Sequence, residues 1–569
     1  MKCEKAGSNA RNPLLSVFWR QGKWSTQART IRTSLPFAAH LIGLAHYTVM
    51  PILLSTLNAR YAHASLGLRY LYANMGELQE QTRIQEFVIG AKTTDLVEKL
   101  LAAQVPGQKL IIGFGVYIWN VEETTRLVAL IKRVAPQVVI ALGGPEVSYE
   151  TQEQEIIRLA DYVITGWGDV SFPALCQQIL AGPQPLMKQH AGVQPAMKEI
   201  ALPYEYYSAE DIKHRTIYVE ASRGCPFKCE FCLSALDKTA WPFDIALFLS
   251  QMEQLHARGA RLFKFVDRTF NLNIKTSLKI MQFFLDKLAA NPEDPVFAHF
   301  EVVPDHLPEA LKESIQKFPP GTLQFEIGIQ SFNPEVQARV SRKQDNEKAA
   351  ENIQWLCQHS AAHLHVDLIA GLPGETIASF AQGFDRLVAL QPHEIQFGIL
   401  KRLRGTPIIR HTQEFEMVFD PYPPYTILAT KDISFGDMQR LIRFARYWDM
   451  VANSGRFTHT LPVILGDSPF ERFMQLSDWL YSNTDATHKI ALDRLAKLVG
   501  QWLITASSIS EQEVLALIAS DYAGDAQHHQ GNRKEKKNDK KAAATVITSV
   551  PTSSTASAAP QRQARHLAM

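Results

Sequence analysis

Short apolar runs alternate with amphipathic segments in two separate blocks of this 569-residue chain. In the first block, the runs "KLIIGFGV" (109–116) and "QVVIALGG" (137–144) flank a segment whose apolar residues have helical spacing, "VEETTRLVALIKRV" (121–134). Apolar strands that alternate with helices are typical of a parallel sheet covered on both faces. The pattern therefore predicts a doubly wound, flavodoxin-like α/β domain of about five strands over 50–182, with a ligand site at the carboxyl ends of the strands.

The second block repeats the alternation after an irregular, proline-containing linker at 183–212. Its apolar runs extend from "TIYVEAS" (216–222) to "IQFGILK" (395–401), with helical segments between them. They form about six strand–helix units, too few for a closed eightfold barrel, so we expect an open, partial (β/α)6 barrel over 213–410 with its active site in the loops after the strands. Apolar periodicity beyond the barrel predicts a mostly helical C-terminal domain over 411–522.

The two ends of the chain differ from its middle. Residues 1–49 carry seven Lys and Arg against a single acid, Glu4, which indicates a disordered extension or a non-native start ahead of Met50; an Arg-rich targeting peptide is the alternative. Residues 523–569 are rich in Lys, Ala, Ser and Thr and are predicted to be a disordered tail. The "RKEKKNDKK" run in that tail is typical of a solvated charged segment, with RNA contact as the alternative.

Composition argues against several classes of protein. A net charge of +2 with 20% charged residues gives no indication of specific nucleic-acid binding. The uncharged run 33–59 is long enough to cross a bilayer, but it contains two His and two Pro and its end is needed as the first strand, so no membrane span is predicted. Six cysteines, three of them scattered, are not a disulfide framework, and we expect a reducing, cytoplasmic location.

The other three cysteines lie together in "ASRGCPFKCEFCLSA" (221–235), in the loop after the first barrel strand. Thiolates suit zinc or an iron–sulfur cluster, but a closed zinc site needs four ligands. The chain has no second C-x-x-C pair, and His214 lies across the predicted strand. Cys225, Cys229 and Cys232 therefore favour a [4Fe–4S] cluster with one iron free of protein ligands, and a zinc site remains the alternative.

The C-x3-C-x2-C spacing, with Phe231 before the last cysteine, resembles the signature of the radical S-adenosylmethionine (SAM) enzymes. The resemblance implies that SAM chelates the free iron and is cleaved by one electron to a 5′-deoxyadenosyl radical. It also places Phe231 near the adenine. The electron would come from a protein such as a flavodoxin or ferredoxin.

Three further motifs, "HFEVVPD", "GIQSFNPEVQARVSR" and "VDLIAGLPGET", resemble strand ends of the coproporphyrinogen-dehydrogenase branch of that superfamily. The resemblance implies that four residues line the SAM site: Glu301, Gln330, Arg342 and Asp367. In "FVDRTFN", Asp267 stands where many relatives carry a Gly-Gly-Glu contact to the methionine amine, and we expect it to take that role.

A doubly wound domain directly before such a barrel resembles the cobalamin-binding radical SAM class. "TLNARYAHASLGLRYL", "GVYIWNVEET", "LGGPEVS" and "KFVDRTFN" together resemble one branch, which has an uncharacterised C-terminal domain. The resemblance implies a cobalamin site at the strand ends, formed by Asn58, His63, Gly143, Gly144 and Gly166. Where other cobalamin domains have Asp-x-His-x-x-Gly, this chain reads "YAHASLG", so His63 is either a cobalt ligand or a loop or interface histidine.

These expectations describe a cobalamin-dependent radical SAM enzyme that methylates an unactivated carbon of a small-molecule substrate. A radical SAM enzyme that forms or rearranges rings without cobalamin methyl transfer is one alternative. A metal-stabilised RNA-binding protein is another, from a different class. The sequence assigns no catalytic residue that contacts the substrate.

Overall fold

A computed structural model of the chain describes residues 51–237 and 239–522. The predictions for 1–49 and for the tail at 523–569, including its charged run, lie outside these ranges. Within the described ranges, no helix is both long enough and apolar enough to cross a bilayer.

The first domain is built on a parallel sheet with the strand order β2-β1-β3-β4-β5-β6. Its strands are β1 Ile52–Asn58, β2 Thr82–Val88, β3 Ile111–Gly115, β4 Val139–Gly143, β5 Tyr162–Thr165 and β6 Gln189–Ala191. Its helices are α1 Leu66–Ala73, α2 Thr93–Leu101, α3 Val121–Val134, α4 Glu155–Leu159 and α5 Ser171–Ala181. The flavodoxin-like order of the first five strands confirms the predicted fold class.

Strand β6 corrects the prediction of five strands, because it comes from the segment interpreted as a linker. It pairs in parallel with β5, with Val163 opposite Gln189. Its sequence, "QHA", has no apolar run and is not buried, so hydrophobic periodicity could not identify it. In contrast, all seven residues of β1 are buried, because helices cover both faces of the sheet.

The second sheet is also parallel and has the order β14-β13-β12-β11-β10-β7, which confirms the partial barrel. Its strands are β7 Ile217–Val219, β10 Leu262–Phe265, β11 Phe297–Val302, β12 Leu323–Gln330, β13 His363–Ala370 and β14 Glu394–Ile399; a small antiparallel pair, β8 Ser222–Gly224 and β9 Ala240–Pro242, lies in the loop after β7. The helices are α6 Ala209–His214, α7 Ile245–Ala257, α8 Ile274–Ala290, α9 Glu309–Ile315, α10 Pro334–Arg339, α11 Asn346–His359 and α12 Ile377–Ala389.

The C-terminal segment is mostly helical and shares a core with the barrel. It contains the hairpin β15 Val418–Phe419 and β16 Ile427–Ala429 and the helices α13 Phe435–Val451, α14 Leu461–Leu465, α15 Pro469–Thr484 and α16 Leu492–Ala506. Trp448 of α13 packs edge-on against Phe384 of α12, with ring centroids 4.8 Å apart. This contact is part of the hydrophobic core that the C-terminal segment shares with the barrel.

A buried ion network joins the first domain to the start of the barrel. Arg69 of α1 lies 3.0 Å from Glu86 of β2 and 2.7 Å from Asp211 of α6. Arg215 contacts the same two carboxylates, at 3.0 and 3.4 Å. Two cations between two carboxylates leave no buried charge uncompensated, so the network fixes how the two sheets face each other.

Candidate active site

A cavity of about 220 Å³ lies at the carboxyl ends of the second sheet and is lined by Cys225, Cys229 and Cys232. All three are free thiols. Five of the six residues predicted for SAM line the same cavity: Phe231, Glu301, Gln330, Arg342 and Asp367. The structure thus brings together residues from four separate stretches of the sequence.

The cysteine loop is held in place by a buried carboxylate between two of its cysteines. Glu230 is 3% exposed, and it accepts hydrogen bonds from Ser341 at 2.5 Å and from His411 at 2.9 Å and also pairs with Arg410. Its own N–H donates to the carbonyl of Val340 at 3.0 Å. The loop is therefore attached to the barrel and to the segment that follows it.

Burial raises the pKa of the Cys225 thiol to about 11. Burial also raises the pKa of Cys229, and the adjacent Arg342 opposes that rise. Because metal binding requires thiolates, assembly of a metal centre here would release protons.

The three thiols fit an iron–sulfur cluster better than a single ion. Within 51–237 and 239–522, no three His, Cys, Asp or Glu side chains converge on a point that could hold one metal ion. The cysteines instead line a shared cavity that has no histidine in its wall. Three thiolates around a space of this size are a donor set for a multi-iron cluster.

Arg342 is anchored on three sides beside this thiol set. Its Nη1 lies 3.6 Å from Sγ of Cys229, its Nε donates to Gln344 at 3.1 Å, and its Nη2 donates to the carbonyl of Gly328. A guanidinium with each nitrogen engaged has little freedom to turn toward a new partner.

The end of β12 is distorted where it reaches the cavity. The pairing register shifts between Gly328 and Gln330, and Gln330 has a φ of 70°, which is unusual for a residue other than glycine. A Cβ at position 328 would lie 2.4 Å from Nε2 of Gln330. Glycine at 328 therefore leaves room for the Gln330 amide, and the bulge turns that amide toward the cavity.

Two carboxylates in the cavity wall have charged neighbours. Nη1 of Arg268 donates to both oxygens of Glu301, at 2.7 and 3.0 Å. Asp367 lies 3.4 Å from Nε2 of His365. Burial raises the pKa of Asp367, and the contact with His365 opposes that rise.

Asp267 does not line the cavity, so the structure does not bring it together with the other residues predicted for SAM. Its Oδ2 accepts the N–H of Ala221 at 2.9 Å and its Oδ1 accepts the hydroxyl of Ser222 at 2.7 Å. Burial raises its pKa to about 7. The next two residues, Arg268 and Thr269, line the cavity instead. Sequence reasoning missed Arg268, because the motif alone does not show which side chain after β10 points outward.

A larger cavity, of about 510 Å³, lies between the carboxyl ends of the first sheet and the barrel. The predicted Gly143, Gly144 and Gly166 line it, as does the adjacent Trp167. Gly144 has a φ of 110°, and a Cβ there would lie 2.5 Å from the carbonyl oxygen of Val116. At Gly166 a Cβ would meet nothing within 4 Å. The three glycines therefore add no side chain to this part of the cavity wall, which leaves room for a large planar corrin.

Asn58 and His63 do not line this cavity, and the structure does not place them at the predicted cobalamin site. Asn58 donates to Glu86 at 3.0 Å. Nδ1 of His63 lies 2.6 Å from the hydroxyl of Tyr218, and the backbone of His63 forms a bridge with Thr216 at the edge of the barrel. The interface interpretation of His63 therefore accounts for its position.

Arg223 closes the larger cavity on the barrel side. It forms ion pairs with Asp169 at 2.9 Å and with Glu220 at 2.6 Å. Its guanidinium lies over the rings of Tyr70, at 4.1 Å, and Trp167, at 5.0 Å. Arg223, two residues before Cys225, thus helps to build the wall of the other cavity.

Three family models match the chain in succession. They are the B12 binding domain at residues 53–176, the Radical SAM superfamily at 219–387, and a protein of unknown function (DUF4080) at 413–562.

Among curated relatives, an uncharacterized methyltransferase of Pyrococcus horikoshii is 24% identical over 55% of this chain and 70% of its own length. The cobalamin-dependent radical SAM methyltransferase TokK of Streptomyces tokunonensis is 22% identical over 62% of this chain, which spans only 54% of that relative. The solved structure of the cobalamin-dependent S-adenosylmethionine radical enzyme OxsB with aqua-cobalamin has a TM-score of 0.58 at 13% identity, covering 84% of this chain and 81% of that one. At this identity the likeness supports the fold alone.

A B12-binding domain followed by a radical SAM domain, with both cavities at the strand ends, places the chain in the class of B12-binding radical SAM proteins. Within that class, it belongs to the branch whose third domain is the uncharacterised DUF4080. The predicted class and the predicted cofactors, a [4Fe–4S] cluster, SAM and cobalamin, agree with these domains. The protein is accordingly a radical SAM enzyme.

Proposed function

We propose that this enzyme transfers a methyl group to an unactivated carbon of a small molecule. The observation that carries the proposal is that Arg268 lines both cavities. Arg268 therefore belongs both to the wall of the cysteine-lined cavity and to the wall of the larger cavity, which the three glycines also line. A substrate beside Arg268 would be within reach of groups bound on either side.

When bound, the cluster and SAM supply a one-electron cleavage that yields a carbon radical, and the corrin supplies the methyl group. The chain itself binds and orients these groups. We assign Cys225, Cys229 and Cys232 to the cluster, and Glu301, Gln330 and Asp367 to the SAM nucleoside, whose hydroxyls a carboxylate or an amide can bind. Phe231 is assigned to the adenine.

On the other side, Gly143, Gly144 and Gly166 are assigned to the corrin face. Tyr149 and Trp167 line the same cavity, and their rings would exclude water from the bound corrin. This exclusion matters because water at a reactive bound group would allow side reactions.

The electron donor and the location are proposals as well. We infer a small reductant protein, such as a flavodoxin or ferredoxin, and a cytoplasmic location without nucleic-acid or membrane partners. Support comes from the thiols: Cys176 and Cys357 are also free, as expected in a reducing compartment.

The test is anaerobic reconstitution with iron and sulfide, followed by incubation with methyl-deuterated SAM, hydroxocobalamin and a chemical reductant. The expected products are 5′-deoxyadenosine and a corrin that carries the deuterated methyl group, and both should form without the natural substrate. 5′-Deoxyadenosine without corrin binding would contradict methylation and favour ring formation or rearrangement. Zinc in place of iron would contradict the cluster and favour the RNA-binding alternative.

A further inference from the structure

The loop that follows β4 forms one side of the larger cavity. Gly144, Pro145, Ser148 and Tyr149 of this loop line the cavity. The loop also carries two acidic residues, Glu146 and Glu150, which are absent from the cavity wall. Glu146 is 4% exposed, so its carboxylate needs partners inside the protein.

Those partners come from the chain after the last barrel strand, β14. Nε of Arg404 donates to Glu146 at 2.8 Å, and its Nη1 donates to Glu150 at 3.0 Å. Nη2 of Arg402 donates to Glu150 at 2.8 Å. The guanidinium of Arg404, which bridges the two acids, and the second cation, Arg402, therefore compensate both charges of the loop.

Tyr425 completes the arrangement, and it belongs to the DUF4080 region at 413–562. Its hydroxyl donates to Oε1 of Glu146 at 2.6 Å and accepts from Nη2 of Arg404 at 2.9 Å. The side chain of Tyr425 is buried. Glu146, Glu150, Arg402, Arg404 and Tyr425 are called the latch below.

Strained backbone conformations on both partners of the latch, the loop after β4 and the DUF4080 region, are independent evidence that the latch is rigid. Glu150 has a φ of 51° and Tyr425 a φ of 55°. Left-handed conformations of residues other than glycine persist when the surrounding structure fixes them. The contacts of the latch are the interactions that fix these two residues.

The segment that carries Arg404 also contacts a residue of the cavity wall. Gly405, next to Arg404, has a φ of 80°, and a Cβ there would lie 2.3 Å from the ring of Tyr149. Only glycine allows this close approach. The ring that lines the larger cavity therefore rests directly on the segment that carries the latch.

We propose that Arg404 and Tyr425 are positioning residues that hold the 144–150 loop as a fixed wall of the corrin cavity. The first segment of the uncharacterised C-terminal domain would thereby control how tightly the corrin is retained. The role of the corrin as occupant rests on the proposed function, whereas the immobility of the loop does not.

The experiment compares Tyr425→Phe with Tyr447→Phe in the full-length protein. Both remove one buried hydroxyl, but that of Tyr447 donates to the carbonyl of Ala486 at 2.8 Å, away from the latch. The first readout is hydrogen–deuterium exchange of the 144–150 amides without corrin. We expect exchange to be about tenfold faster in Tyr425→Phe and unchanged in Tyr447→Phe, since a hydrogen bond to a charged group is lost only in the former.

The second readout is the dissociation constant of hydroxocobalamin. We expect Tyr425→Phe to weaken binding by about tenfold through faster release, with iron content equal to that of the wild type. Equal loop exchange in the two variants would overturn the proposal, and so would faster exchange without weaker corrin binding. If the wild type binds no corrinoid, the proposed function is wrong, while loop exchange still decides whether the latch fixes the loop.

Discussion

Nη1 of Arg268 lies 2.7 Å from Oε1 of Glu301, in the wall shared by the two cavities. The pair links a residue after β10 to a residue at the end of β11. Arg268 lines both cavities and Glu301 lines the smaller one, while about half of the Arg268 side chain stays exposed.

Replacing Arg268 with Met should weaken SAM binding by about tenfold, because Glu301 would lose the cation that orients it and its carboxylate is largely buried. The measurement is the SAM dependence of the spectrum of the reduced cluster. Arg261→Met is the matched control, since Arg261 pairs with Asp294 at 2.7 Å and neither residue lines a cavity described above. Unchanged SAM affinity in Arg268→Met would contradict the role of this ion pair.

Each of Cys225→Ala, Cys229→Ala and Cys232→Ala should reduce reconstituted iron from about four atoms per chain to nearly none. The fold should persist, because these thiols lie in a loop at the sheet ends. Circular dichroism and iron analysis measure the two effects. Cys357→Ala, which alters a thiol of helix α11, should retain the full iron content; iron loss there as well would point to general destabilisation.

Arg342→Gln should lower the reduction potential of the cluster. A guanidinium that donates to Cys229 stabilises the more negative, reduced form, so its loss favours the oxidised form. A tenfold change in the one-electron equilibrium corresponds to about 59 mV, which a redox titration followed by electron paramagnetic resonance resolves. Lys343→Gln removes a charge from the same cavity without touching a cysteine sulfur; an equal shift in both variants would mean that charge alone acts.

Two alanine variants in the larger cavity should have different effects. We expect Gly143→Ala to weaken corrin binding and Gly144→Ala to destabilise the fold. At Gly143 a Cβ meets no atom closer than 4.0 Å, so the fold should tolerate it while corrin affinity falls. At Gly144 the positive φ and the contact with Val116 should lower the free energy of unfolding by roughly 1–3 kcal/mol. Thermal unfolding and corrin titration test both outcomes. A large stability loss in Gly143→Ala would contradict this assignment.

His365 should make stability depend on pH. Burial by itself would lower its pKa, but hydrogen bonds and charge from Asp367 and Glu394 raise it from 6.5 to about 10. The protonated form is therefore stabilised in the folded state. This contribution to the free energy of unfolding is fully present below pH 6.5 and is lost as the pH rises toward about 10. Denaturant titrations should show a smaller decline over that range in His365→Gln than in the wild type; equal declines would contradict the assignment.

The sequence was enough to predict the two parallel sheets, because apolar strands between amphipathic helices have few other ways to bury both faces. It also determined the three-cysteine site, since that spacing is local and needs no knowledge of distant contacts. The glycines at the ends of β4 and β5 were identified for the same reason: a strand followed by glycine is a local signal.

Which polar side chains face a cavity could not be predicted from the sequence and is seen in the folded chain. Asp267 accepts hydrogen bonds from Ala221 and Ser222, while Arg268 beside it lines both cavities. His63 contacts Tyr218 and does not line the larger cavity. Likewise, no local pattern joins Glu146 to Tyr425, which are separated by 279 positions. Such contacts depend on how the domains dock, and docking is determined by long-range burial and charge pairing, which sequence periodicity does not record.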